Sequence, residues 1–186
     1  MELRTHEYSA PSAWVCRFAP LIRPGGAVLD LACGNGRHAR HLAGLGYQVE
    51  AVDRDSTALA ALAGIAGVTT RCVDLEGAPW PYAAGSFDGI VVTNYLHRPR
   101  AADLLLALRP DGVLIYETFA LGNENFGRPS NPEFLLRPHE LLEWVHGRLQ
   151  VVAFEQGLIE RPKPAAIQRI CAARRGSELC RLEAAA

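Results

Sequence analysis

An apolar run, Ala27 to Leu31, breaks into Ala32-Cys33-Gly34-Asn35-Gly36 and then into a helix-patterned stretch, Arg37 to Leu45. A strand that passes through a glycine turn straight into a helix commits the chain to returning for another strand beside the first. That is the unit from which parallel sheets are built. Gly34 and Gly36 lack a Cβ, so the backbone there can reach conformations other residues resist and can approach a ligand closely. The helix that follows turns its free N–H groups back on the loop.

The rest of the chain repeats the alternation. Strands are expected at 48–52, 68–73, 87–93, 113–119, 149–154 and 167–173. Helices are expected at 11–19, 37–45, 55–63, 101–108 and 138–146, with Asp55 or Ser56 capping the third and Arg109-Pro110-Asp111-Gly112 stopping the fourth. Pro162 and Pro164 fall in the turn between the last two strands. The expected architecture is α/β: a Rossmann-like, seven-stranded, mostly parallel sheet with a C-terminal antiparallel hairpin and helices on both faces. At 186 residues this reads as one domain, 1–186, with its core at about 10–173 and a frayed tail over 176–186.

Composition narrows the function classes. Nineteen Lys and Arg against twenty Asp and Glu leave a net charge of −1, which supplies no whole-molecule attraction to nucleic acid or anionic lipid. No apolar run is long enough to span a bilayer, and the first residues lack the apolar stretch of a secretory signal. The five cysteines, Cys16, Cys33, Cys72, Cys171 and Cys180, form no CxxC pair and no metal-ligand spacing, so they read as reduced packing residues of a cytoplasmic protein, with no metal site. Arg161, Lys163, Arg169, Arg174 and Arg175 read as a solvated face rather than an RNA surface.

Two cofactors fit the glycine turn. Gly34-Asn35-Gly36-Arg37-His38-Ala39 matches the G-x-G-x-x-G/A pattern of nicotinamide enzymes, and Asp53, after the second strand, suits a ribose in either case. Asp30, four positions before Gly34, tips the balance. A carboxylate that close repels a pyrophosphate but favours the ammonium and sulfonium of S-adenosylmethionine.

With these residues the chain resembles a class I S-adenosylmethionine-dependent methyltransferase. The family's acid followed by alternating small residues is matched by Asp30, Ala32, Gly34 and Gly36, with Ala32 in place of the commonest first glycine and Cys33 as a further small residue. The resemblance implies that Asp53 holds the ribose hydroxyls, beside Arg54. It also implies that Asp74 meets the adenine amino group while Leu75 adds backbone and apolar contact. Phe87-Asp88-Gly89-Ile90-Val91-Val92 resembles the family's fourth strand, and Arg109-Pro110-Asp111-Gly112-Val113-Leu114 the turn into its fifth. The wording DLACGNGRHA and the small size are also similar to the tellurite-resistance-type branch, a likeness that carries no substrate with it.

In a parallel sheet the reacting groups lie beyond the carboxyl ends of the strands. That selects Asn94, Tyr95 and His97 after the fourth strand and Glu117 within the fifth. Asn94 and Tyr95 are expected to line the methyl donor, His97 is the near-neutral base or a solvated helix-start residue, and Glu117 faces the substrate while Tyr116 packs on a helix. The polar stretch Leu121 to Asn131 has the composition of a lid or of a surface crossover, and Arg128 within it suits an acceptor carboxylate, a phosphate or a structural ion pair. The expected activity is methyl transfer to a small molecule. RNA or protein methylation, a non-catalytic S-adenosylmethionine-binding protein and a nicotinamide oxidoreductase are the alternatives.

Overall fold

A computed structural model describes residues 10–174; the expected tail and Cys180 lie outside them. Seven strands form one sheet: β1 (Ala27–Leu31), β2 (Gln48–Asp53), β3 (Val68–Cys72), β4 (Phe87–Thr93), β5 (Leu108–Phe119), β6 (Gln150–Ile159) and β7 (Ala165–Ala173). Their order across the sheet is β3-β2-β1-β4-β5-β7-β6. The first five run parallel, and β7 pairs antiparallel with both β5 and β6. The helices are α1 (Ala13–Phe18), α2 (Arg37–Gly44), α3 (Ser56–Ala60), α4 (Ala101–Ala107) and α5 (Glu140–Val145). Among the described residues no helix is long and apolar enough to cross a membrane.

Side-chain alternation along the central strands builds two cores, one on each face. Val28, Val91, Val113 and Ile115 point one way, onto Trp14 and Phe18 of α1, Leu42 of α2 and Leu59 of α3. Leu29, Ile90, Val92 and Leu114 point the other way, onto Leu104 and Leu105 of α4 and Leu141 and Val145 of α5. β4 is buried along its whole length, as a strand covered on both faces must be. Caps place the helices: Ser12 Oγ accepts from Trp14 N at the start of α1, and Asp55 accepts from Thr57 N and Ala58 N at the start of α3.

Several expected boundaries need correction. α3 stops at Ala60, not near Ala63, and α5 opens at Glu140, not Pro138. α4 stops at Ala107, because Leu108 already pairs with Phe87 across a bulge before the regular register resumes at Gly89 and Val113. β5 therefore absorbs the Arg109-Pro110-Asp111-Gly112 turn, and β6 runs on to Ile159. The basic run is not one solvated face. Arg169 bonds Glu117 and Glu155, and Arg174 donates to Leu105 O. Arg175 lies outside the described residues.

Candidate functional site

Strand order reverses between β1 and β4, since β1 leads outward to β2 and β4 outward to β5. The loops leaving the carboxyl ends of these two strands diverge and leave a crevice. That crevice encloses about 180 Å³ and is lined by Ala32, Asp53, Arg54, Val73, Asp74, Leu75, Glu76 and Tyr95. Six of the sequence-selected residues are thus brought together. A second and larger cavity of about 450 Å³ lies on the other side of the same loop, with Asn94, Glu117, Arg37 and Phe119 in its wall. Asn94 and Tyr95 are consecutive, so one loop serves both hollows. His97 and Arg128 line neither.

The glycine turn divides its labour. Ala32 (φ 52°), Gly34 (φ 53°) and Gly36 (φ 72°) all take the left-handed conformation. A Cβ on Gly34 would meet nothing within 4 Å, so Gly34 leaves open space beside the turn. A Cβ on Gly36 would run into the buried side chain of Leu62, so this glycine suits both the packing and its left-handed place as the α2 cap. Cys33 is buried in the core on the α1–α3 face. Asp53 clamps the turn, with Oδ2 accepting from Gly34 N at 2.8 Å and Oδ1 from Asp55 N at 3.0 Å. Asp74 Oδ1 accepts from Glu76 N at 3.1 Å and shapes the opposite lip.

Asp30 sits beneath the turn and does not line the crevice. It is 1% exposed, and burial raises its carboxyl to about 7 despite a backbone hydrogen bond from Ala39 in the first turn of α2 and the nearby charge of Arg37. Among the described residues its Oδ2 has no partner. A buried acceptor without a donor is costly and needs a reason. Tyr95 also lacks a partner for its hydroxyl, and burial raises that phenol to about 12, so it stays protonated at neutral pH.

Glu117 joins a chain of contacts that its sequence position did not reveal. Oε1 accepts from Ser12 Oγ at 2.8 Å and Oε2 from Arg169 Nη1 at 3.0 Å. With both oxygens engaged, this carboxylate is fixed in place and can serve as an anchor. Its neighbour Tyr116 points to the other face, donating to Tyr95 O and packing edge-on against Trp144. His38 is also buried, with Nε2 accepting from Ser12 N at 3.1 Å and Nδ1 3.3 Å from Thr93 Oγ1. Burial, with Arg37 and His41 nearby, lowers its pKa to about 3, so the ring is neutral and Nδ1 carries the proton. No sequence motif marks His38, whose partners lie 26 and 55 residues away.

The stretch after β5 is anchored. Asn123 is 2% exposed, donates to Pro129 O at 2.9 Å and accepts from Ala166 N in β7. None of residues 123–131 lines either hollow, which is the geometry of the crossover reading.

Comparison with solved structures finds the same architecture. TehB from Haemophilus influenzae superposes with a TM-score of 0.75 over 91% of this chain and 64% of its own, at 20% identity. The chain has the fold of the class I S-adenosylmethionine-dependent methyltransferases. The 1,6-didemethyltoxoflavin-N1-methyltransferase of Burkholderia thailandensis, solved with S-adenosylhomocysteine, shares the fold at a TM-score of 0.62 and 21% identity, over 88% of this chain and 77% of its own. The methyltransferase domain family model matches residues 28–112, from β1 through the turn within β5. A Chlorobaculum tepidum protein-L-isoaspartate O-methyltransferase is 34% identical over 113 residues, covering 54% of this chain. The chain spans about half the length of that curated relative, 48% of which is matched. The residues present fit the cofactor class of that fold. Asp53, Asp74 and the apolar Leu75 line the crevice, open space lies at Gly34, and beneath the turn the buried Asp30 carries an oxygen without a partner among the described residues, surroundings that suit a cationic ligand better than a pyrophosphate.

Proposed function

We propose that the chain transfers a methyl group from S-adenosylmethionine to a small-molecule acceptor. The observation that carries this reading is the pair of hollows flanking one loop, the Asp53–Asp74 crevice on one side of Asn94-Tyr95 and the 450 Å³ cavity on the other. Asp53, Arg54, Asp74 and Leu75 would hold the nucleoside, with Ala32 and Tyr95 completing the walls. Bound S-adenosylmethionine supplies an electrophilic methyl on a sulfonium, which departs as a neutral thioether without needing an acid. The protein's task is then to orient the acceptor and exclude water.

Tyr95, neutral and half-buried, walls the crevice as a ring rather than as a base. Glu117, held by Ser12 and Arg169, positions the acceptor in the second cavity. The volume of that cavity lies within the range of ordinary small-molecule sites, and the balanced net charge offers nothing to a polymeric nucleic acid. The thiols of Cys16, Cys33 and Cys72 support a reducing, cytoplasmic setting.

Calorimetry with S-adenosylhomocysteine tests the cofactor half of the reading, and labelled methyl transfer into fractionated lysate tests the acceptor half. Binding together with label in the low-molecular-weight fraction supports the proposal. Label in RNA or protein alone, or no heat at millimolar ligand, overturns it.

A further inference from the structure

We propose that the acceptor is an organic anion, an apolar body carrying a carboxylate or another oxyanion, and that Arg161 and Lys163 select it. This rests on the reading of the larger cavity as the acceptor site. The cavity is amphipathic in a specific way. Phe119, Ile159, Pro162, Ala165 and Ile167 give it an apolar wall, while among the described residues its charged lining consists of Arg37, Arg161, Lys163 and Arg169 against a single carboxylate, Glu117.

The charges are not equivalent. Arg169 is committed: it pairs with Glu117 and Glu155 and lies over the Trp14 ring at 4.7 Å. Arg169 is shared between Glu117 and Glu155, and among the described residues no carboxylate other than Glu117 lines the cavity. Arg37 donates only to Ala10 O, and Arg161 and Lys163 have no ion-pair partner among the described residues. Three cations with no ion-pair partner among the described residues therefore face one hollow. Arg37 stands next to the glycine turn, where it serves the carboxylate of the cofactor as readily as that of an acceptor. The selectivity is accordingly assigned to the other two.

Their position supports the assignment. Arg161 and Lys163 sit in the proline-bracketed turn between β6 and β7, Arg161-Pro162-Lys163-Pro164, which fixes the backbone on which they are carried. They are exposed, so they retain hydration until a ligand arrives. A neutral apolar molecule would gain the wall but leave the cations untouched. A small inorganic oxyanion would gain the cations but leave a cavity of 450 Å³ largely unfilled. An organic acid uses both.

The test uses the protein loaded with S-adenosylhomocysteine and two probes of the same shape, indole-3-acetate and indole-3-acetamide, titrated by saturation-transfer NMR at low salt. The acid is expected to bind about tenfold more tightly than the amide, an advantage that shrinks as salt is raised. In Arg161→Ala/Lys163→Ala that advantage falls to about twofold or less, while amide and S-adenosylhomocysteine affinities stay unchanged. Inorganic phosphate is expected to displace the acid only at much higher concentration. Equal binding of acid and amide, an advantage that survives the double substitution, or phosphate competing as well as the acid each overturns the inference. If S-adenosylhomocysteine itself does not bind, the methyltransferase reading fails first and the acceptor role with it. Normal cofactor binding with no acid preference sinks this inference alone.

Discussion

Ala32 stands where class I methyltransferases, whose fold the chain shares, more often carry a glycine, and it takes a left-handed backbone (φ 52°) in the wall of the Asp53–Asp74 crevice. A side chain costs about 1 kcal/mol or more in that conformation, and a β-branched one costs more. Ala32→Gly removes the strain but loosens the unfolded chain, so its stability should stay within about 1 kcal/mol of wild type. Ala32→Val should lose about 1–3 kcal/mol by urea unfolding and weaken S-adenosylhomocysteine by about tenfold or more in calorimetry, because the extra methyls enter the crevice. An equally stable Val variant would show that the turn is not held at this angle in solution. Asp53 has two duties that one substitution can separate. Its oxygens already receive Gly34 N and Asp55 N, leaving further lone pairs for ribose hydroxyls. Asp53→Ala should cost about 1–2 kcal/mol of stability through the lost clamp, and cofactor affinity should fall about tenfold or more. A stability loss with cofactor affinity intact would reduce Asp53 to a turn clamp.

At the scale of elements, the sequence resolves which segments form the sheet but not where they meet. Residues 27–31 and 87–93 are legible because short, mostly apolar runs stand between turn residues, and Asp53 and Asp74 are legible because the first ends β2 and the second lies two residues past β3. Leu108 is not legible as strand, since only Phe87 across the sheet makes it one. The packing demand at Gly36 is hidden for the same reason, because Leu62 arrives from another element. Arg98 and Glu140, 42 residues apart, show how much such contacts hold together. Arg98 leaves the end of β4 and donates to both oxygens of Glu140 and to Glu133 O and Leu135 O, tying the chain before α5 to the site loop. Glu140 is fully buried, and Arg137 N also bonds it. Removing either partner strands a buried charge or several carbonyls, so Arg98→Ala and Glu140→Ala should each cost about 2–4 kcal/mol, and the double substitution less than their sum. Burial alone would raise the Glu140 carboxyl, but hydrogen bonds from Arg98 and Arg137 outweigh it and hold the group below its ordinary range. The stability it adds is present above the unfolded-state value of about 4.3 and lost as pH falls through the lower folded value. Glu140→Gln should flatten that acid limb.

For the molecule as a whole, two buried groups around α2 pull stability in opposite directions with pH. Asp30 is raised from 3.8 to about 7 in the fold, by burial first. Between those values the folded chain holds a proton that the unfolded chain has released, so stability falls as pH rises. His38 is lowered from 6.5 to about 3, again by burial first, with Arg37 and His41 adding to it. Across that interval the unfolded chain holds the proton, so stability falls as pH drops. The windows overlap from about 4 to 6.5, and there the two effects cancel, each amounting to about 1.4 kcal/mol per pH unit at full slope. Wild-type urea midpoints should therefore change little between pH 4.5 and 6.5, even though both groups are strongly perturbed. Asp30→Asn removes one arm and should leave a protein that loses about 2–3 kcal/mol on acidification over that span. His38→Gln removes the other and should reverse the tilt, with stability falling as pH rises. Parallel profiles for wild type and both variants would mean that neither group is buried in its stated protonation state. Above pH 7 Asp30 is ionised and still lacks a donor at Oδ2, so the cofactor-free fold carries that cost in full. A cationic ligand that relieves it must bind more tightly as pH rises through about 7, and in Asp30→Asn that dependence should vanish.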